Sequence, residues 1–90
     1  VNTEDPWHVE LAPAAERSLS RLPTKVATAI VEFITATLPQ NQLRMSTPLR
    51  YELAALRSAR RGDYRVLFAL DEDEQTLLVV RIAHRADAYR

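Results

Sequence analysis

The chain has 90 residues, 47% of them apolar and 27% charged, which describes one small folded domain (1–90) and excludes a disordered chain. It has no cysteine, which removes disulfides, thiolate zinc sites and thiol catalysis. The formal net charge of zero conceals a division: residues 44–65 and 81–90 hold nine basic groups against three acids, a surplus of six that the rest of the chain cancels.

In chain order, Trp7 to Leu11 alternates apolar and polar and reads as a strand. Pro13 suits the first turn of a helix, and Ala15, Leu19 and Leu22 make its apolar stripe. Pro23 ends that helix and opens a second. Val26, Ile30, Phe33, Ile34 and Leu38 then keep a helical period up to Pro39, where the second helix is expected to stop. Residues 39–50 read as loop, with Leu43 and Leu49 as its anchors. A strand is expected within 51–61 and another over 63–70. Asp71 to Gln75 make an acidic turn, and Thr76 to His84 a last, buried strand. The order β-α-α-β-β-β predicts an α+β fold: a helical hairpin on one face of a mostly antiparallel four-stranded sheet.

No apolar run reaches the length of a membrane span. Val1 to Trp7 is polar and acidic and lacks the features of a signal peptide. The expected compartment is the cytoplasm.

The chemistry concentrates in Ser58-Ala59-Arg60-Arg61-Gly62-Asp63-Tyr64-Arg65-Val66-Leu67-Phe68 and in the ending Ala83-His84-Arg85-Ala86-Asp87-Ala88-Tyr89-Arg90. Eleven of the twelve basic residues are arginine, the side chain suited to planar, bidentate contacts with phosphate. The arginines of 57–65 and 81–90 are expected to form one positive surface, away from the acidic turn. Each candidate also has a structural reading. Arg65 could pair with Asp63 or Glu52. His84 shares parity with Leu78, Val80 and Ile82, which would carry it away from Arg85. Tyr89 could cover the end of the sheet. Trp7 and Tyr64 read as core and His8 as a surface histidine. The acidic turn lacks a calcium-ligand loop. No cofactor or metal site is expected.

These motifs, with Arg21-Leu22-Pro23 between the helices and Pro48-Leu49-Arg50 before the second strand, resemble the RelE/ParE superfamily of bacterial type II toxins, in particular its RelE-like branch. That resemblance implies a metal-independent, ribosome-dependent mRNA endonuclease. The message's own 2′-hydroxyl attacks the adjacent phosphate in the decoding site, leaving a 2′,3′-cyclic phosphate and a 5′-hydroxyl. By matching positions, the resemblance implies catalytic roles for Arg65, Arg85 and Tyr89, with His84 where relatives often carry lysine or histidine. Arg57, Arg60, Arg61, Arg81 and Arg90 become candidate RNA contacts. The two second-strand lysines of some relatives have no match here. Fixed guanidinium groups suit the charge that gathers on a phosphoryl group in transesterification. The implied partners are a cognate, RelB-like antitoxin, in a toxin–antitoxin hetero-oligomer, together with ribosome and mRNA. Two alternatives stay open: a ParE-like inhibitor of DNA gyrase, and a weakly active toxin that mainly binds its antitoxin.

Overall fold

The computed structural model describes residues 7–49, 55–84 and 86. Strand β1 is His8–Leu11, helix α1 Pro13–Ser20 and helix α2 Thr24–Glu32. A π-turn, Phe33–Thr37, leads into a short helix α3, Leu38–Asn41. Strands β2 (Ser46–Pro48), β3 (Leu56–Arg61), β4 (Tyr64–Asp71) and β5 (Thr76–His84) follow. The sheet order is β1-β5-β4-β3-β2. β1 lies parallel to β5 and the other pairs are antiparallel.

The fold class is the one expected, with two corrections. The sheet has five strands among the described residues, because part of the supposed loop is β2. Ser46, Thr47 and Pro48 carry no apolar alternation, so periodicity misses them. A three-residue edge strand tolerates proline, whose missing N–H faces away from the ladder. The helix also runs past Pro39 to Asn41. A proline inside an α-helix collides with the carbonyl four residues back. Here the preceding turn is widened, with the Leu38 N–H bonded to the Phe33 carbonyl five residues back. That wider turn makes room for the ring.

One face of the sheet carries the helices. Ala15, Ile30, Phe33, Ile34 and Leu38 pack there against Ala59, Val66, Phe68, Leu77, Val79 and Ile82. Leu19, Leu22, Val26 and Tyr64 sit at the margin of this core, partly buried. At roughly 25 cal/mol per Å² of apolar surface, this cluster is the main favourable term of the fold. Leu43, expected as a loop anchor, is instead 61% exposed. Trp7 is half-buried.

Two turns fix the strand register. Gly62 and Asp63 close the β3–β4 hairpin between paired Arg61 and Tyr64. Gly62 has φ +63° while Asp63 keeps a negative φ, the pattern of a turn with glycine first. Between β4 and β5 the acidic turn is exposed. The Asp71 carboxylate accepts the Glu74 N–H at 3.1 Å, and Gln75 takes φ +48°. The run is thus a solvated turn stabilised from within, and no group of three or more metal-ligating side chains exists among the described residues.

Candidate nucleic-acid interface

Strand pairing sorts the arginines between the two faces. Arg57 pairs with Phe68 and Arg61 with Tyr64, so both lie on the helix-bearing side. Arg60 pairs directly with Arg65, on the opposite side. Arg65 also lies opposite Ala83, and Arg81 opposite Leu67, which sets Arg60, Arg65 and Arg81 on one face. The expectation of a single positive surface is therefore corrected. Alternation along β3 sends Arg57 and Arg61 one way and Arg60 the other.

Arg57 has a defined structural task. Its Nε donates to Ser46 Oγ at 2.7 Å and its guanidinium NH₂ to the Ser46 carbonyl at 3.1 Å. The Ser46 hydroxyl in turn donates to the Gln42 carbonyl. This chain of bonds ties the edge strand β2 and the end of α3 to β3. Arg61, on the same side, lines a pocket of ≈300 Å³ with Lys25, Val26, Ala29, Ile30 and Tyr64. Arg60 is exposed, and its Nε donates to the Gly62 carbonyl at 3.1 Å, which holds its stem against the hairpin.

On the opposite face, Arg44, Arg60 and Arg65 line a groove of ≈240 Å³ with Met45, Ser46, Thr47 and Ser58. Arg60 and Arg65 are cross-strand partners. Like charges directly opposite one another are unfavourable in a sheet. Two guanidinium groups so placed can offer charge-assisted hydrogen bonds to one anion. The half-buried Arg65 rises from a firm floor, because Leu67 and Ala83 beside it are 6% and 9% exposed.

His84 takes a different place. It pairs with Tyr64 and meets that ring edge-on, centroids 5.3 Å apart and planes at 83°. Its partner puts it on the helix-bearing side, away from Arg65. The parity set that joined His84 to Leu78 and Val80 is broken by an irregularity between Leu67 and Phe68: Phe68 pairs with Val79, but Leu67 with Arg81. Val80 is therefore the extra residue of a bulge, and the rows before and after it change sides. Leu77 and Val79 share the core side with Ile82 and His84. The Nδ1 of His84 accepts the Ala86 N–H at 3.2 Å. In the neutral ring the proton then resides on Nε2.

Arg85, Tyr89 and Arg90 lie outside the described residues. Of the groove's lining, Arg44, Met45, Ser46, Thr47 and Ser58 are not among the site residues expected from the sequence. Arg44 was counted only within the basic surplus. Ser58 has the parity of Arg60 as its only signal.

A domain model described as the ParE toxin of the type II toxin–antitoxin system parDE matches residues 9–89. The chain belongs to the RelE/ParE superfamily of toxins from type II toxin–antitoxin systems. Within it, the chain is a RelE-like toxin. It is 43% identical to toxin RelE of Mycobacterium tuberculosis (strain ATCC 25618 / H37Rv) over 90 residues, all of this chain and 93% of that protein. It is 44% identical to toxin RelG of the same organism over 85 residues, 94% of this chain and 98% of that one. Among solved structures it resembles a chain of the M. tuberculosis RelBE2 toxin–antitoxin complex, with TM-score 0.87 and 42% identity, covering 93% of this chain and 97% of that one.

Proposed function

We propose that this toxin is a ribosome-dependent endoribonuclease that cuts mRNA by attack of a 2′-hydroxyl on the neighbouring phosphate. The observation that carries the reading is the Arg60–Arg65 pair, set opposite one another at the groove that Arg44 also lines. Two guanidinium groups set side by side suit a phosphodiester passing to a more highly charged transition state. Arg65 stabilises the phosphoryl oxygens, and Arg44, Arg60 and Arg81 hold the adjoining backbone. Arg85 and Tyr89 join this set through the family motif. Tyr89 supplies either a proton or a stacking surface for a base. His84 is not assigned the role of general base, because it faces Tyr64 and its Nδ1 is engaged.

The second reading, inhibition of DNA gyrase, draws on the ParE description of the matching domain model. A gyrase inhibitor does not need phosphoryl-transfer chemistry, so the groove favours the nuclease. Incubation of the protein with programmed ribosomes and an end-labelled message, beside a gyrase supercoiling assay, separates the two. Cuts within the ribosome-bound codon with unimpaired gyrase are expected. An uncut message with blocked supercoiling would remove the nuclease reading.

The proposed partner is a RelB-like antitoxin, since the M. tuberculosis relative was solved in a toxin–antitoxin complex. A ribonuclease of this kind is lethal to its own cell when free. The complex should bury well over ~1,000 Å².

A further inference from the structure

We propose that the Ser58 hydroxyl is a substrate ligand, donating a hydrogen bond to a phosphoryl oxygen of the RNA held in the arginine groove. This rests on the nuclease reading and extends it to a residue for which the family resemblance implies no role.

Ser58 is 5% exposed. Its Oγ is buried and has no hydrogen-bond partner among the described residues. Burying a hydroxyl without a partner is costly, and native folds seldom leave one so. The other buried serine, Ser46, shows the usual outcome, with its hydroxyl both accepting from Arg57 and donating to Gln42. Ser58 lies across from Thr47 on one side and Leu67 on the other. Two residues before Arg60, it shares that arginine's face and lines the same groove as Arg44, Arg60 and Arg65. The fold thus keeps an unsatisfied donor at the base of a cationic groove.

The chemistry fits an anion. Three guanidinium groups supply charge and several N–H donors but no short, rigid one close to the sheet. A hydroxyl on a central strand has little freedom to lose. Its O–H donates to a phosphoryl oxygen as a charge-assisted bond, stronger than one between neutral groups. The oxygen is reached when the flexible side chains lining the groove change rotamer, a motion of ps–ns for exposed groups. Ser58 forms no covalent bond in this role.

The test compares wild type with Ser58→Ala and Ser58→Cys, the thiol being a weak donor of similar size. Two quantities are measured: the thermal midpoint, and the dissociation constant for an RNA trinucleotide carrying 2′-O-methyl groups, which cannot be cut. For Ser58→Ala the expected result is an unchanged or raised midpoint, since an unpartnered hydroxyl has been removed, with binding weakened about tenfold. Ser58→Cys should fall between the two. Equal binding by wild type and Ser58→Ala overturns the proposal. So does a lowered midpoint with unchanged binding, which would give the hydroxyl to the fold. No trinucleotide binding by the wild type overturns it too. If binding depends on Ser58 but the wild type cuts no message on the ribosome, this inference stands and the nuclease reading falls.

Discussion

Arg65 and Arg57 stand on neighbouring strands but answer to opposite faces, and their truncations should separate function from stability. Arg65→Ala removes one guanidinium of the groove and should lower the rate of message cutting by about two orders of magnitude. Its thermal midpoint should stay close to that of the wild type. Single-turnover cleavage on ribosomes, with circular dichroism melts alongside, measures both. Wild-type cutting by Arg65→Ala would show that the scissile phosphate lies elsewhere. Arg57→Ala should do the reverse. It removes the bonds to Ser46 that hold the edge strand, at a cost of about 1.5–3 kcal/mol. In a domain of this size each kcal/mol lowers the midpoint by about 4–8 °C. Cutting per folded molecule should remain. A stable but inactive Arg57→Ala would assign Arg57 to the RNA after all. At this scale the sequence motifs point to Arg65, but they cannot tell Arg57 from Arg60. Both are arginines of one strand, and only the register with Phe68 and Arg65 divides them.

At the scale of elements, the β3–β4 hairpin delivers Arg60 and Arg65 to one another, and Gly62 sets its turn. The space where a Cβ would stand is open, so the cost of a side chain there is purely the φ of +63°. Gly62→Ala should therefore destabilise the protein by about 1–2 kcal/mol. Gly62→Asn should cost less, because asparagine tolerates the left-handed region. Chemical denaturation compares the two. Equal stability of all three proteins would mean that the hairpin has another turn available.

Elements with regular apolar spacing were legible in the sequence: α1, β4 and β5 fall close to their expected bounds, and α2 begins where expected but gives way to the π-turn after Glu32. The parts that were not legible have physical causes. β2 is a short edge strand whose polar residues and proline read as loop. The helix beyond Pro39 depends on a π-turn that no periodicity announces. The bulge at Val80 exchanges faces within a strand, so simple alternation joins His84 to Leu78 and Val80 as well as to Ile82, the one of the three in register with it. The basic face itself was half legible, since a charge surplus gives the number of arginines in a segment but not the side of the sheet they occupy.

For the whole molecule, zero net charge coexists with a cationic face bearing Arg60, Arg65 and Arg81, with Arg44 at its groove. Affinity for RNA should thus come from that face and carry a definite salt dependence. Four phosphate contacts at ~0.7 each give a slope of log K against log salt of roughly −3 for a single strand. Arg60→Ala or Arg81→Ala should flatten it by ~0.7. Fluorescence titrations of an uncleavable oligonucleotide at several salt concentrations measure this, and a slope near zero would exclude a phosphate-binding face. The same molecule should also form a tight complex with an antitoxin. Co-expression with the neighbouring gene product tests that: co-purification and rescued growth are expected, and failure of both would count against the partner.

The central claim is that this face promotes attack by the message's own 2′-hydroxyl, and a single atom in the substrate tests it. Two messages are placed on programmed ribosomes, one all-ribose and one with a single 2′-deoxynucleotide at the cut position, and the wild-type protein is added. The all-ribose message should be cut to a 2′,3′-cyclic phosphate and a 5′-hydroxyl, and the deoxy message should survive intact at that position. Equal cutting of both messages, or a product ending in a linear 3′-hydroxyl, would contradict the claim.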